Sequence, residues 1–284
     1  MRNFDYIDLA EKYDTSERMS LVSAIGQEAE KLESYLKVDS ARLRTLKASA
    51  KFASTKASNA IESITASDER IGLLIEGATP ATENEAQIAG YCDALSIVND
   101  NFEAIPVTRN YILQLHKILY GRSGSPIGGK TKSVQNFISA VYPDGRKETL
   151  FTPLAAYETP QALDQLCDAY NRVIAAKAAD PLIVIPIFVH DFLCIHPFDD
   201  GNGRMSRLLT SLLLLQNGVT VGKYVSLENE IYKAQAEYYA ALRQAGKGWH
   251  EGMEDVTPFV KYALETILAA YKALSETLGA VTTE

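Results

Sequence analysis

The chain has 284 residues, of which 46% are hydrophobic and 23% charged, with a net charge of −8; this is the composition of an ordinary globular protein able to bury a core. The negative balance argues against nucleic-acid binding, and the longest apolar run, residues 182–189, is too short to span a bilayer. Three scattered cysteines argue against a disulfide framework, and the N-terminus lacks the apolar core of a signal peptide, so we expect a cytoplasmic protein with neither nucleic-acid nor membrane partners.

Helices are predicted along most of the chain. Residues 1–76 contain no proline and are rich in Ala, Leu, Glu, Lys and Ser, which favour helices. Apolar residues recur at helical spacing over 83–102 and again over 109–121. Residues 121–153 concentrate Gly, Pro, Ser and Lys and predict a long loop with short extended pieces. Helical spacing resumes at Pro160 and continues, with interruptions, towards the C-terminus.

Residues 182–189, Leu-Ile-Val-Ile-Pro-Ile-Phe-Val, do not fit this pattern locally. The run is rich in β-branched residues and, taken alone, is typical of a buried strand. A strand needs partners, and the sequence offers few other candidates. Because tertiary burial can override local propensity, we predict a helix for this run.

Residues 196–207 read His-Pro-Phe-Asp-Asp-Gly-Asn-Gly-Arg-Met-Ser-Arg and combine groups suited to phosphate binding. Gly201 and Gly203 permit backbone conformations that aim successive N–H groups at an anion, and the following helix adds its positive end. Arg204 and Arg207 lie three residues apart on that helix, so both can face one pocket, and guanidinium groups suit phosphate oxygens.

The same run supplies a base and a metal ligand. His196 has an unperturbed pKa near neutrality, which makes it a reasonable general base. Asp200 offers hard oxygen ligands suited to Mg²⁺, and Asn202 can donate to an oxygen on which charge develops. Phosphate, metal and base chemistry are therefore expected together.

This run resembles the signature of the Fic (Fido) family, His-Pro-Phe-x-Asp/Glu-Gly-Asn-Gly-Arg-x-x-Arg, at every specified position. The resemblance implies an all-α Fic fold, a helical bundle with one short β-hairpin called the flap, preceded by an N-terminal helical region. We place that region at residues 1–106, the Fic domain at 107–270 and a C-terminal tail at 271–284.

The resemblance also implies an activity, protein adenylyltransfer. His196 would deprotonate a Tyr, Thr or Ser hydroxyl of a target protein, which could be the protein itself, and AMP would pass from ATP to that oxygen. Asp200 would hold Mg²⁺ between the α- and β-phosphates. Whether the chain forms a homo-oligomer is left open by the sequence. The phosphate ligands would be Asn202 and the Gly203 N–H for the α-phosphate, Arg204 for the β-phosphate and Arg207 for the γ-phosphate.

A second run resembles the inhibitory helix of one autoregulated Fic class, Ser/Thr-x-x-x-Glu-Gly/Asn. Here it reads Ser58-Asn-Ala-Ile-Glu62-Ser63, with Ser63 where Gly or Asn is usual. The resemblance implies that Glu62 pairs with Arg207 and keeps the γ-phosphate from seating productively. The alternative is that Glu62 is an ordinary surface residue of a helix.

Two further stretches resemble nucleotide- and target-binding parts of the family. The flap corresponds to Gln135-Asn136-Phe137-Ile138-Ser139, and a tyrosine pair near the adenine corresponds to Tyr238 and Tyr239. Paired aromatics on a helix can equally be packing residues. An Asn expected shortly after the pair has no counterpart, and Gly246 falls near its place.

Other interpretations stay open. Residues 124–131, Gly-Ser-Pro-Ile-Gly-Gly-Lys-Thr, satisfy the P-loop pattern and would make the protein a nucleotidase, although a helical pattern precedes them where a strand should stand. The fold could also transfer another phosphate-linked group, or remove AMP, because the run 196–207 would recognise phosphates and not the group attached to them.

Two smaller interpretations concern side chains near the signature. His190, Cys194, His196 and Asp199 could form a transition-metal site, against the simpler view of a core histidine and a buried thiol. Lys130 and Lys132 are predicted to be solvated loop charges.

Overall fold

Helices form most of the chain over the residues that this computed structural model describes, namely 4–13, 15–36, 40–141 and 144–279. A two-stranded antiparallel hairpin separates the sixth helix from the seventh. The predicted all-α class with one short hairpin is therefore confirmed. The described α-helices are α1 Tyr6–Tyr13, α2 Ser16–Leu36, α3 Ser40–Ile61, α4 Asp68–Ile75, α5 Glu83–Asn101, α6 Arg109–Leu119, α7 Thr159–Ala176, α8 Pro181–Ile195, α9 Asn202–Gln216, α10 Leu227–Lys233, α11 Gln235–Ala245 and α12 Thr257–Gly279.

The hairpin lies in the predicted long loop. Its strands are β1, Ile138–Val141, and β2, Lys147–Phe151. Ser139 lies opposite Thr149, and the register shifts between Ile138 and Ser139, so the hairpin is irregular at its start. A register shift of this kind bends the strand and re-aims its side chains.

α8 contains the run that looks like a strand, and every side chain from Leu182 to Ile195 is buried. It packs against α7, α9 and α12. Asp180 caps its first turn by accepting the Leu182 N–H, and Pro181 stands where a helix tolerates proline. The helix prediction is confirmed, and the physical reason is burial on all faces, which outweighs the β preference of its residues.

The N-terminal helices share the core of the rest of the chain. Tyr6, Ile25 and Tyr91 belong to the same buried cluster as the residues of α8 and α9, and α2 packs along α12. The division into 1–106, 107–270 and 271–284 stays a prediction. α12 continues through residue 270 to Gly279, and residues 280–284 lie outside the described residues.

A buried carboxylate ties three distant segments together. Asp191 on α8 accepts the Tyr6 hydroxyl through Oδ2 at 2.9 Å and the Trp249 indole N–H through Oδ1 at 2.6 Å. Asp191 is fully buried, and Tyr6 is 2% exposed. Because a buried carboxylate needs hydrogen-bond donors to offset its lost hydration, this contact fixes α1 against the centre of the fold.

We expect Tyr6→Phe to lower the free energy of unfolding by about 1–3 kcal/mol, since it removes one donor from a buried carboxylate without creating a cavity. Urea unfolding followed by circular dichroism measures the change. Tyr157→Phe is the matched control, because Tyr157 is 86% exposed and loses only a solvated hydroxyl. An unfolding midpoint of Tyr6→Phe equal to that of the wild type would contradict the prediction.

Candidate active site

The signature run forms the connection between α8 and α9. α8 ends at Ile195, and His196 takes φ of 50° while its N–H bonds Phe192 O at 2.9 Å. Gly201 takes φ of 84° just before α9 begins at Asn202. Two left-handed residues thus reverse the chain within a few positions, a conformation that is uncommon for a residue with a Cβ such as His196.

The turn is held by side-chain amides. Asn202 accepts the Phe198 N–H at 2.9 Å and donates to Phe198 O at 2.8 Å. Asn136, which precedes β1, donates to His196 O at 3.2 Å and to Phe198 O at 3.0 Å. Asn136 and Asn202 were predicted to contact nucleotide, but in this structure their amide groups bond the loop backbone. These hydrogen bonds fix the backbone conformation of the turn.

His116 on α6 anchors the turn from the buried side, a role that its sequence position does not predict. Its ring stacks on the buried Phe198 ring with centroids 3.7 Å apart and planes 4° apart. Nε2 lies 3.0 Å from Asp200 O, which can only accept, and Nδ1 accepts the Gly129 N–H at 3.0 Å. Burial lowers the pKa of His116 to about 4, so the ring is neutral at pH 7.

Tyr120, the C-cap residue that follows α6, was not predicted either. Its hydroxyl donates to Asp200 Oδ2 at 2.6 Å and accepts from Arg204 Nη2 at 2.8 Å. Nothing in the sequence links α6 to a loop some eighty residues away. A histidine and a tyrosine at i and i+4 on an amphipathic helix are the only signal, and that signal is weak.

Asp200 and Arg204 differ sharply in exposure. The Asp200 side chain is 64% exposed, whereas Arg204 is 1% exposed and reaches Asp200 Oδ2 at 3.4 Å. Arg204 Nε and Nη1 have no hydrogen-bond partner among the described residues. A buried guanidinium with unmet donors is costly unless an anion approaches.

A cavity of about 600 Å³ opens above the turn. The flap, the turn, α11 and the end of α3 form its walls, and its size lies within the usual range for ligand sites. It brings together most of the predicted site residues, while Ser58, Asn136 and Arg204 lie behind its walls. The predicted residues on the walls are Glu62, Phe137, Ile138, Ser139, His196, Asp200, Gly201, Asn202, Gly203, Arg207, Tyr238 and Tyr239.

The His196 ring is oriented by the backbone. Nδ1 lies 3.2 Å from Leu193 O, so this nitrogen carries the proton and Nε2 is left as the acceptor. Burial, with a smaller contribution from the charge of Lys132, lowers the pKa of His196 to about 4. The imidazole is therefore neutral at pH 7 and able to accept a proton.

The prediction that Lys132 is a solvated loop charge is wrong. Lys132 is 2% exposed, and its Nζ donates to Asn136 Oδ1 at 2.8 Å and to Ile195 O at 3.0 Å. The segment before β1 lies against the turn, since the Lys132 N–H also bonds Pro197 O at 2.8 Å. Burial lowers the pKa of Lys132 to about 8. Lys130 is exposed, as predicted.

Arg207 is held by the end of α3. Its Nε donates to Ser58 Oγ and its Nη2 to Ser58 O, both at 2.8 Å. Nη2 also lies 2.8 Å from Glu62 Oε1. Arg207 is 3% exposed and Glu62 33%, so the ion pair forms at the cavity wall with Arg207 behind it. The structure thus brings together the two ends of the predicted inhibitory contact.

Ser63 follows with φ of 61°, in the left-handed region. Glycine adopts that region without penalty and asparagine more readily than most residues, which explains why the inhibitory pattern favours them there. Serine holds it at a cost of about 1 kcal/mol.

The alternative sites are not assembled as their patterns require. Residues 124–131 follow helix α6 and form turns, and the described residues contain no parallel sheet to carry a P-loop. His190 Nε2 and Cys194 Sγ lie 3.6 Å apart within the buried face of α8. Over the described residues, no group of three or more His, Cys, Asp or Glu side chains is placed to share a metal ion.

Among the helices of the described residues, none is long and apolar enough to cross a membrane.

Comparisons with known proteins agree with this geometry. The Fic/DOC family matches residues 106–214. A protein adenylyltransferase, fic-1, of Caenorhabditis briggsae is 29% identical over 194 residues, which are 67% of this chain and 33% of that protein. A Fido domain-containing protein of Dictyostelium discoideum is 31% identical over 113 residues, 38% of this chain and 75% of that protein. The chain thus spans about a third of the length of the nematode relative.

Solved structures share the fold. Fic-1 of Caenorhabditis elegans (aa134–508) superposes with a TM-score of 0.75 at 22% identity, over 94% of this chain and 74% of that one. A Fic family protein from Desulfovibrio desulfuricans G20 gives 0.75 at 23%, over 93% and 75%. With the signature turn set between α8 and α9 of the same helical fold, the chain belongs to the Fic/DOC family.

Proposed function

We propose that the protein transfers AMP from ATP to a Tyr, Thr or Ser hydroxyl of a target protein, which could be the protein itself, and that Glu62 restrains this activity. One observation carries the proposal. A single cavity contains a neutral histidine, an exposed carboxylate and a guanidinium, His196, Asp200 and Arg207, around the N-terminus of α9. Relatives that share the fold are protein adenylyltransferases.

The phosphates would lie over the N-terminus of α9. The Gly201–Gly203 turn and the positive end of that helix suit the α-phosphate. Arg207 suits the γ-phosphate once Glu62 is displaced. Arg204 does not line the cavity, and its Nε and Nη1 lack partners among the described residues. Its positive charge would attract the β-phosphate at longer range.

The adenosine end would lie along α11. Tyr239 is 40% exposed and faces the cavity, whereas Tyr238 is 4% exposed and packs on Phe259 and Tyr262. Tyr239 is therefore the ring assigned to the adenine, with Tyr238 supporting it. Gly246 lines the cavity and offers no side-chain amide for the base.

The residues present fit a Mg²⁺ ion. Tyr120 occupies Asp200 Oδ2 and leaves Oδ1 without a partner among the described residues. Mg²⁺ is usually bound by one or two carboxylates together with substrate phosphates and water, so a single exposed carboxylate beside the cradle suffices. Bound there, the ion would neutralise phosphate charge.

His196 is the proposed general base. Its Nε2 would take the proton of the target hydroxyl, whose oxygen attacks the α-phosphorus while pyrophosphate leaves. The flap would place the target beside it, because Phe137 is 58% exposed and shares the cavity with Ile138 and Ser139. Release of pyrophosphate leaves AMP on the target oxygen.

His196→Ala is expected to abolish labelling of protein by ATP carrying a label in its α-phosphate, because it removes the Nε2 atom proposed to take the proton of the target hydroxyl. The test uses a Glu62→Gly background and a panel of labelled nucleotides, which also defines the donor. His250→Ala, the loss of an exposed histidine, is the matched control and should keep its labelling. Equal labelling with and without His196 would rule out the proposed mechanism.

Glu62→Gly is expected to raise labelling roughly tenfold or more, because a charge-assisted hydrogen bond no longer competes for Arg207. Glu62→Gln should raise it less. The matched control is Glu76→Gln, an exposed glutamate at the end of α4. If neither Glu62 variant exceeds the wild type, Glu62 does not restrain the enzyme.

The His196 ring is expected to stay neutral from pH 8 down to about 5, since burial lowers its pKa from 6.5 to about 4. ¹³C–¹H NMR of the four histidines measures this, and His196→Ala identifies the signal. Because the unfolded imidazole takes up its proton first, stability should also fall as pH drops below about 6.5. A His196 midpoint near 6.5 would contradict the prediction.

A further inference from the structure

Glu228, near the start of α10, is a buried carboxylate that the proposed reaction does not use. It is 3% exposed, and its Oε1 accepts the Tyr91 hydroxyl at 3.0 Å. Oε2 accepts hydroxyls from Ser54 at 2.6 Å and Ser226 at 3.2 Å. Among the described residues its direct partners are thus three hydroxyl groups and no cation. Such a charge is costly to bury unless a countercharge lies nearby.

The countercharge is Arg207, which is separated from Glu228 by the hydroxyl groups of Tyr91 and Ser58. Ser58 accepts Arg207 Nε at 2.8 Å, and both Ser58 and Arg207 are buried. Burial and then the charge of Glu228 raise the pKa of Tyr91, whereas the charge of Arg207 and a hydrogen bond from Ser58 lower it, so the Tyr91 hydroxyl stands between the two charged groups. Since each hydroxyl donates one proton onward, the bonds run in one direction, from guanidinium to carboxylate.

We propose that Glu228 is a positioning residue for Arg207, acting through Tyr91 and Ser58. This inference rests on the proposed contact of Arg207 with the γ-phosphate. Two carboxylates, those of Glu62 and Glu228, would then act on Arg207 in different ways. Glu62 bonds it directly from the cavity wall, in the place that a phosphate would need. Glu228 acts from the buried side and keeps Nε engaged when Glu62 leaves.

Glu62 and Glu228 differ in how deeply they are buried. The Glu62 side chain is 33% exposed and follows the last residue of α3, so solvent or a ligand can replace its contact. Glu228 is enclosed by α3, α5 and α10 through Ser54, Tyr91 and its own helix. A countercharge that stays in place orients the guanidinium in advance, which lowers the entropy lost when phosphate binds.

Titration calorimetry of ATP and AMP with Mg²⁺, in the Glu62→Gly background, tests the inference. Glu228→Gln replaces the carboxylate by an amide that can donate, which breaks the single direction of the chain. We expect it to weaken ATP binding about fivefold and to leave AMP binding within about twofold, because AMP lacks the phosphates that Arg207 would meet. Tyr91→Phe removes the link itself and should reproduce the loss of ATP binding.

Two references make the outcome decisive. Ser54→Ala removes a bond to the same carboxylate outside the path to Arg207 and should not weaken ATP selectively. Arg207→Ala should show the full ATP-specific loss. If Arg207→Ala shows it and neither Glu228→Gln nor Tyr91→Phe does, Glu228 has no positioning role. If Arg207→Ala shows none, the proposed γ-phosphate contact is wrong and the inference falls with it. Equal weakening of ATP and AMP would indicate a structural role only.

Discussion

The connection between α8 and α9 must reverse the chain within a few residues while both helices stay buried. Phe198 resolves this by turning inward onto His116, and the amides of Asn136 and Asn202 then satisfy the loop groups that the turn leaves open. Because these bonds point into the protein, the opposite face of the turn is free for a ligand. Asn136 therefore builds the turn without lining the cavity, whereas Asn202 does both.

Arg207 illustrates how a buried cation can be both fixed and available. Two of its bonds go to Ser58, on the helix that ends beside Glu62, so the guanidinium does not depend on Glu62 alone for its hydrogen bonds. In a site of low polarity an anion at the exposed edge of such a group is held strongly, whether it is a carboxylate or a phosphate. A phosphate on this edge would compete with Glu62 for the Nη2 atom, which already donates to Ser58 O.

How much of this could be read from the sequence depends on where each determinant lies. The signature turn and the run 58–63 are local patterns, and their resemblance to the family predicted the contact between Glu62 and Arg207 across 145 positions. The helical state of 182–189 needed an argument from the whole chain, because its local preference is for a strand. His116 and Lys132 could not be placed, since their roles come from tertiary neighbours: one stacks on Phe198, and the other is buried where the segment before β1 crosses the turn.

Gly203 places the same steric constraint on the proposed phosphate site and on the Glu62 carboxylate. A Cβ at this position would overlap Glu62 Oε1 and approach Arg207 Nη1 at 3.3 Å, so only glycine leaves room for the carboxylate. The same missing Cβ lets the N-terminus of α9 approach a phosphate closely. Any substitution here would therefore disturb the Glu62 carboxylate and the proposed phosphate site together. Glu62 lies where the proposed phosphate would lie, so the proposed restraint needs no pocket of its own.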